Sequence, residues 1–183
     1  MHCKEVNKMA KIGLKYPVYK SKSNSGVIAK AIQADISITY SDVKLYADDV
    51  LAESDKSFQS GTITLGVDDL SDTIQTEFLG HEIDETTGEL TANKDDESPI
   101  VGIGFYGVKI VNGVRKYRAI WLPAVQFAEP ADTNSTKGET VTFNTPVLEG
   151  TIMVDENGDW KKENTFDTED EAKAYLNQKA GIA

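Results

Sequence analysis

The chain is poor in the residues that catalysis and metal binding usually need. Among its 183 residues are one cysteine, Cys3, and two histidines, His2 and His81. A lone cysteine makes no internal disulfide, so the fold does not depend on thiols and suits a reducing cytoplasm. Neither histidine has a partner at metal-ligand spacing, and Cys3 lacks one too, which argues against a zinc site. His81 follows a helix-ending glycine and reads as an exposed capping-region side chain. There is no Gly-x-Ser-x-Gly elbow, no phosphate-binding loop and no helix after Gly102-Ile103-Gly104 to make a dinucleotide fingerprint. No apolar run approaches the ~20 residues of a membrane helix, and no secretory signal is visible. Positive charge is also short: 19 Lys and Arg stand against 30 Asp and Glu, a formal −11. That surplus opposes tight wrapping of a polyanion.

Carboxylates are abundant, so pairs such as Asp48/Asp49 and Asp95/Asp96 say little. They lie in polar stretches, where nothing separates their pKa values for acid–base work. A glycosidase dyad is disfavoured on that ground. Asp155-Glu156-Asn157-Gly158-Asp159 opens like a calcium loop, but its glycine is misplaced and the twelfth position is Phe166 instead of Glu. A two-residue hairpin turn at Asn157-Gly158 explains it better. The expectation is no catalytic residue, no cofactor and no metal.

What is present is strand pattern. Ile100 to Leu122, IVGIGFYGVKIVNGVRKYRAIWL, places two apolar runs around Asn112-Gly113, the residues of a type I′ turn. Gly102, Gly104 and Gly107 thin its first strand, pointing to a bulge or a close approach by another backbone. Pro123 closes the hairpin, and Val125 to Phe127 continue the sheet. Ile32 to Tyr40 alternates: Ile32, Ala34, Ile36, Ile38 and Tyr40 share one face, while Gln33, Asp35, Ser37 and Thr39 share the other. Phe58 to Gly66 sets Ser60, Thr62 and Thr64 opposite Gly61, Ile63 and Leu65. Glu139–Phe143 and Val147–Val154 read as further strands. Lys11 to Tyr19 reads as a strand or extended arm, kept from a central place by Pro17.

Between these strands, Ser41 to Ser57 reads as a long acidic loop around Leu45 and Tyr46. Lys20–Gly26, Glu82–Ser98 and Ala128–Lys137 read as exposed connections. Asp68 to Gly80 predicts a helix through Leu70, Ile74 and Phe78, with Asp68 and Asp69 at its N-terminus. Thr168 to Lys179 predicts another, with Thr168 and Glu171 forming a capping box and Ala172, Tyr175, Leu176 and Lys179 tracing its inner face. The fold class is mainly β, an antiparallel β-sandwich or partly open barrel with two flanking α-helices. Lys109, Arg115, Lys116 and Arg118 straddle the central hairpin, either facing acidic partners or DNA, or simply protecting a solvated sheet face.

Residues 1–8 lack any pattern. Lys4-Glu5-Val6 is encodable by a bacterial ribosome-binding site just upstream of Met9, so the expectation is a translated leader or an ordinary disordered tail over 1–8 and one domain over 9–183. An intact mass that includes His2 and Cys3 would remove the leader reading.

KIGLKYPVY, SFQSGTITLGVDDLSD, GFYGVKIVNGVRKYRAIWLPAVQFAEP, LEGTIMVDENGDW and EAKAYLNQKAG together resemble the phi13-type major tail protein of long-tailed phages of Gram-positive bacteria. The resemblance runs from Met9 to Ala183. It implies a tail-tube-like fold without the C-terminal immunoglobulin-like domain of some members. It also implies a structural, non-enzymatic virion protein, made in the host cytoplasm, whose hexameric rings stack into a hollow tube. Its partners would be copies of itself, the tape measure, tail tip and terminator proteins, and DNA in transient passage, with no membrane insertion. On that reading Asp35, Ser37, Thr39, Ser60, Thr62 and Thr64 are candidates for the lumen. Leu45, Tyr46, Asp48 and Asp49 are candidates for ring stacking. The runner-up is a monomeric β-sandwich binding module, for example carbohydrate-binding, with Trp121 and Trp160 as candidate exposed aromatics.

Overall fold

A computed structural model of the chain describes residues 9–28, 31–47, 50–68, 70–84, 86–131 and 145–182. In chain order the elements are β1 (Met9–Lys20), β2 (Ser25–Val27), β3 (Ala31–Ala47), β4 (Val50–Val67), α1 (Asp72–Leu79), β5 (Glu82–Ile83), β6 (Leu90–Thr91), β7 (Ile100–Val111), β8 (Val114–Phe127), β9 (Val147–Ile152), β10 (Lys162–Phe166) and α2 (Glu169–Ala180). The fold is mainly antiparallel β with two helices. One large sheet runs β2-β1-β7-β8-β9-β4-β3, β10 joins it beside β8, and β5–β6 make a small separate hairpin. The expected strand Glu139–Phe143 and most of the Ala128–Lys137 connection lie outside the described residues, as do His2, Cys3 and residues 1–8.

β7 and β8 form the long ribbon expected of them, turning at Asn112 (φ 51°) and Gly113 (φ 80°) between the paired Val111 and Val114. Both φ angles are positive, as a type I′ turn requires. β8 does not end at Pro123. Tyr117 to Trp121 pair with β10 and Val125 to Phe127 pair with β9. The proline, which has no N–H to donate, falls between those two ladders and beside the register shift at Val101/Ile103. Pro17 is handled the same way: β1 lies between β2 and β7 and skips register between Lys15 and Val18. A bulge therefore admits a proline where an edge position was expected.

The sheet curls around one core. Ile63, Leu65, Ile103, Leu122, Val125, Phe127, Leu148 and Ile152 meet inside it, and Ile74, Phe78 and Leu79 of α1 plug one end. Burying each such side chain stabilises the fold by about 1.5–3 kcal/mol. A second cluster lies on the outer face of β1, β7 and β8, where α2 sets Ala172, Leu176 and Ala180 against Val18, Tyr106 and Trp121. Two glycines of β7 are explained here. A Cβ on Gly102 or Gly104 would stand 2.5 or 2.6 Å from Trp121 ring atoms, so what approaches them is an indole ring, not a backbone. At Gly107 the expected backbone approach and bulge are found: a Cβ there would stand 3.3 Å from the Gly13 carbonyl oxygen, and β1 shifts register between Ile12 and Leu14.

Both helices form, with one change. α1 starts at Asp72, where Ser71 is the cap and accepts from the Ile74 N–H, so Asp68 and Leu70 precede the helix. Gly80 closes it at φ 82°. In α2 the Thr168/Glu171 capping box is made in both directions.

The largest correction concerns Ser41–Ser57. It is no loop: β3 and β4 stay paired through it, from Ser41 beside Ser57 to Ala47 beside Val50, with one register shift between Leu45 and Tyr46. β9 pairs with β4 only at Gly61–Gly66, so the hairpin runs on past the sheet as a two-stranded ribbon. Cross-strand pairs there join apolar to acidic positions, Val43 with Asp55 and Leu45 with Glu53. Such a ribbon satisfies its backbone without a purely apolar face, so it lacks the alternation by which strands are usually recognised.

Candidate assembly surfaces

β3, β4 and β9 bring the six polar candidates of the sequence together on one surface. Asp35 stands beside Thr64 and then Glu149; Ser37 beside Thr62, Thr151 and finally Gln126 of β8; Thr39 beside Ser60. Because side chains alternate along a strand, every one of these points away from the core that Ala34, Ile36, Ile63 and Leu65 enter. The Gln33 amide donates to the Asp35 carboxylate and holds it along this face. The surface is thus a lattice of hydroxyls with carboxylates at Asp35 and Glu149.

Beyond this face lies an edge. Among the described residues β3 pairs on one side only, with β4. Its far side approaches β1 across a cleft of about 340 Å³ lined by Leu14, Ile36, Phe105 and Lys109. Along this seventeen-residue strand, about every second residue therefore turns its backbone N–H and C=O toward the unpaired edge. In the projecting hairpin, Leu45 pairs with Glu53 and Tyr46 with Leu51, while Asp48 and Asp49 lie outside the described residues.

The basic group divides in two. Arg118 pairs with Glu163 at 2.5 Å and Lys116 with Asp167 at 2.5 Å, so these cations bind β10 and its exit to β8. Lys109 and Arg115 form no ion pair among the described residues.

His81 departs from expectation. It is 7% exposed, its Nε2 lies 3.1 Å from a Glu129 carboxylate oxygen, and its Nδ1 has no hydrogen-bond partner among the described residues. The glycine cap turns the chain inward at that point, so the residue after the helix is buried instead of solvated.

The Asp155 loop is closed by its own groups. The Asp155 carboxylate accepts from the N–H groups of Asn157 and Asp159, and Lys162 Nζ lies 3.5 Å from Asp155 and 3.1 Å from Asp159. Gly158 is at φ 82° but Asn157 is not at positive φ, so the turn is not type I′. A lysine stands where a calcium ion would, and no described cluster of three or more His, Cys, Asp or Glu could hold a metal.

A further constellation had no signal in the sequence. The Tyr106 hydroxyl donates to Glu169, which also pairs with Lys173 at 3.1 Å, while the Tyr16 hydroxyl donates to Asn177. Burial, then the bond to Glu169, pushes the Tyr106 phenol well above its usual range. The same bond, then Lys173, holds the Glu169 carboxyl below its usual range. Asp84, Asp155 and Glu163 are likewise shifted down, chiefly by donated hydrogen bonds. A general acid working near neutral pH needs the opposite shift.

Compared with models of known protein families the chain matches none, and it matches no curated protein.

Proposed function

We propose that the chain is a structural subunit that builds a hollow tube: the major tail protein of a long-tailed phage, assembled as stacked rings through which DNA is ejected. One observation carries this reading. A strand of seventeen residues, β3, borders the polar β3–β4–β9 face and keeps one side unpaired among the described residues. Such an edge is an aggregation hazard in a protein that works alone. In a ring of identical copies, strands from neighbours close it and the edge disappears. The hydroxyl-rich face with Asp35 and Glu149 then suits a lumen, because its carboxylates repel phosphates and let DNA slide. The projecting β3–β4 hairpin, with Leu45, Tyr46, Asp48 and Asp49, is the element proposed to reach the next ring. In this reading the chain has no enzymatic activity and no cofactor, and it resides in the virion with tape measure, tip and terminator proteins as partners.

Negative-stain microscopy of the purified protein, alone and with tail-tip complexes as initiator, is the direct test. Rings or tubes are expected; monomers under every condition would overturn the reading. Removing Ser41–Ser57 should leave a folded subunit that no longer elongates, and normal tubes from that variant would refute the stacking role. A carbohydrate-binding module is the weaker reading. Trp121 is buried against α2, and Trp160 is half-buried and stacked on Phe58 at 5.1 Å, so neither offers an open platform.

A further inference from the structure

The charge of this chain is distributed along the β7–β8 ribbon in a way that its own fold leaves unbalanced. Asp68 to Glu97 contains eleven carboxylates and one lysine, which leaves the rest of the chain close to neutral. This segment comprises α1, β5–β6 and their connections, and it sits at the end of the sheet where β7 begins. A cleft of about 800 Å³ opens there between the β1–β2 turn, α1 and the start of β7. Glu77, Asp96 and Glu97 line it against one cation, Lys22, with Pro99 and Ile100 beside them.

At the other end of the same ribbon the sign reverses. Lys109 and Lys116 stand directly opposite one another across β7 and β8. Like charges set directly opposite one another destabilise a sheet. Of Lys109, Lys116 and the neighbouring Arg115, only Lys116 has a carboxylate partner among the described residues. The turn between them is narrow and protrudes with Val114 at 58% exposure, while Ile100 at the acidic end is 52% exposed. The twelve residues of β7 separate the two ends by roughly 40 Å at 3.3 Å per residue.

We infer that the Lys109–Lys116 hairpin tip of one copy seats in the Glu77/Asp96/Glu97 cleft of the next, so that copies join head to tail along the ribbon. The occupant is a second copy because the tip and the cleft are complementary in charge and each exposes one aliphatic residue, Val114 and Ile100. Both lie on every chain, at opposite ends. Such a contact is heterologous, so every copy keeps a free tip at one end and a free cleft at the other, and the contact can repeat from copy to copy. It rests on the reading of the chain as a self-assembling subunit and gives that assembly a polarity: basic tip toward acidic cleft. The β3–β4 hairpin points toward the same end as the tip, because β3 and β7 are an even number of antiparallel steps apart.

Cross-linking between two variants tests the contact without needing an initiator. On a Cys3→Ser background, Val114→Cys protein is mixed with Ser98→Cys protein and oxidised, then run on a non-reducing gel. A heterodimer is expected at about ten times the yield of a Val114→Cys and Thr62→Cys control, falling about tenfold when salt rises from about 0.05 to about 0.5 M, as screening shortens electrostatic reach. Adding Lys109→Glu and Arg115→Glu to the Val114→Cys protein should abolish the cross-link, with circular dichroism showing an unchanged fold. Yield equal to the control, or indifferent to salt and to charge reversal, overturns the contact. The two readings fail separately. Normal tubes from the Lys109→Glu/Arg115→Glu chain sink this contact and leave the tube standing. A clean Val114→Cys/Ser98→Cys cross-link, with a wild-type chain that never forms rings or tubes, supports the contact and sinks the tube.

Discussion

β1, β7 and β8 are covered on both faces, by the common core within and by α2 without, whereas β3, β4 and β9 are covered on one. The two regions belong to a single sheet, and the difference is written in their side chains. β7 reads IVGIGFYGVKIV, nearly continuous in apolar residues, as a strand with two covers must. β3 and β4 alternate, because only one of their faces has anything to bury. The doubly covered region holds the subunit together. The singly covered region has a face that is uncovered and an edge that is unpaired among the described residues.

Removing the outer cover should produce the largest loss. Leu176 is fully buried beneath α2, against Gly104 and Trp121. Leu176→Ala is expected to cost about 2–5 kcal/mol, the range for large-to-small changes in a core that relaxes incompletely. Urea denaturation measures it. A loss below about 1 kcal/mol would mean that α2 is decoration and that the two regions do not differ as argued.

The bond between Tyr106 and Glu169 ties the same cover to β7 and makes it sensitive to pH. The Glu169 carboxyl is held low by the Tyr106 hydroxyl, then by Lys173. Its contribution is therefore complete above the ordinary carboxylate pKa near 4.3 and lost as pH falls through the lowered folded value. Tyr106 has the opposite sign: its folded pKa is raised, so its contribution is complete below about pH 10 and fades above it. Tyr106→Phe removes both. The variant's urea midpoint should lie below wild type at pH 7, with the gap narrowing toward pH 3. A gap that stays constant across that range would contradict the bond. A smaller effect is expected from Thr168→Ala, which breaks the capping box and should cost about 1 kcal/mol by the same assay.

Much of this architecture is legible in the chain, and the exceptions share a cause. Asn112-Gly113, the alternation of Ile32–Tyr40 and the Thr168/Glu171 box are local signals, and local geometry honours them. His81 reads as exposed but is buried, because its burial depends on where a helix cap aims the chain and on Glu129, far off in sequence. Ser41–Ser57 reads as a loop because hydrophobic period is the criterion, and its paired positions join apolar to acidic residues, so that period is absent. The shared face of Asp35, Ser37, Thr39, Ser60, Thr62 and Thr64 lies between these cases. Each strand shows its own alternation, but only the register of β3 against β4 sets the two polar rows side by side.

That face should give the smallest effect on stability, and this is what separates it from the β7–β8 region. Thr62 stands between Ser37 and Thr151 and points away from the core, so Thr62→Ala should change unfolding free energy by no more than about 0.5 kcal/mol. Asp35 is exposed on the same surface, and Asp35→Lys should be comparably mild in the isolated subunit. If the chain builds the proposed tube, the consequence belongs in the assembled tube, where a lumenal lysine would attract the phosphates that a carboxylate repels. Tubes of normal length with slower genome ejection are expected from Asp35→Lys. Unchanged ejection kinetics would place Asp35 on the outside of the tube. An unfolded Thr62→Ala subunit would mean that this face is already in use within a single chain, and the contrast between covered and uncovered sheet would not hold.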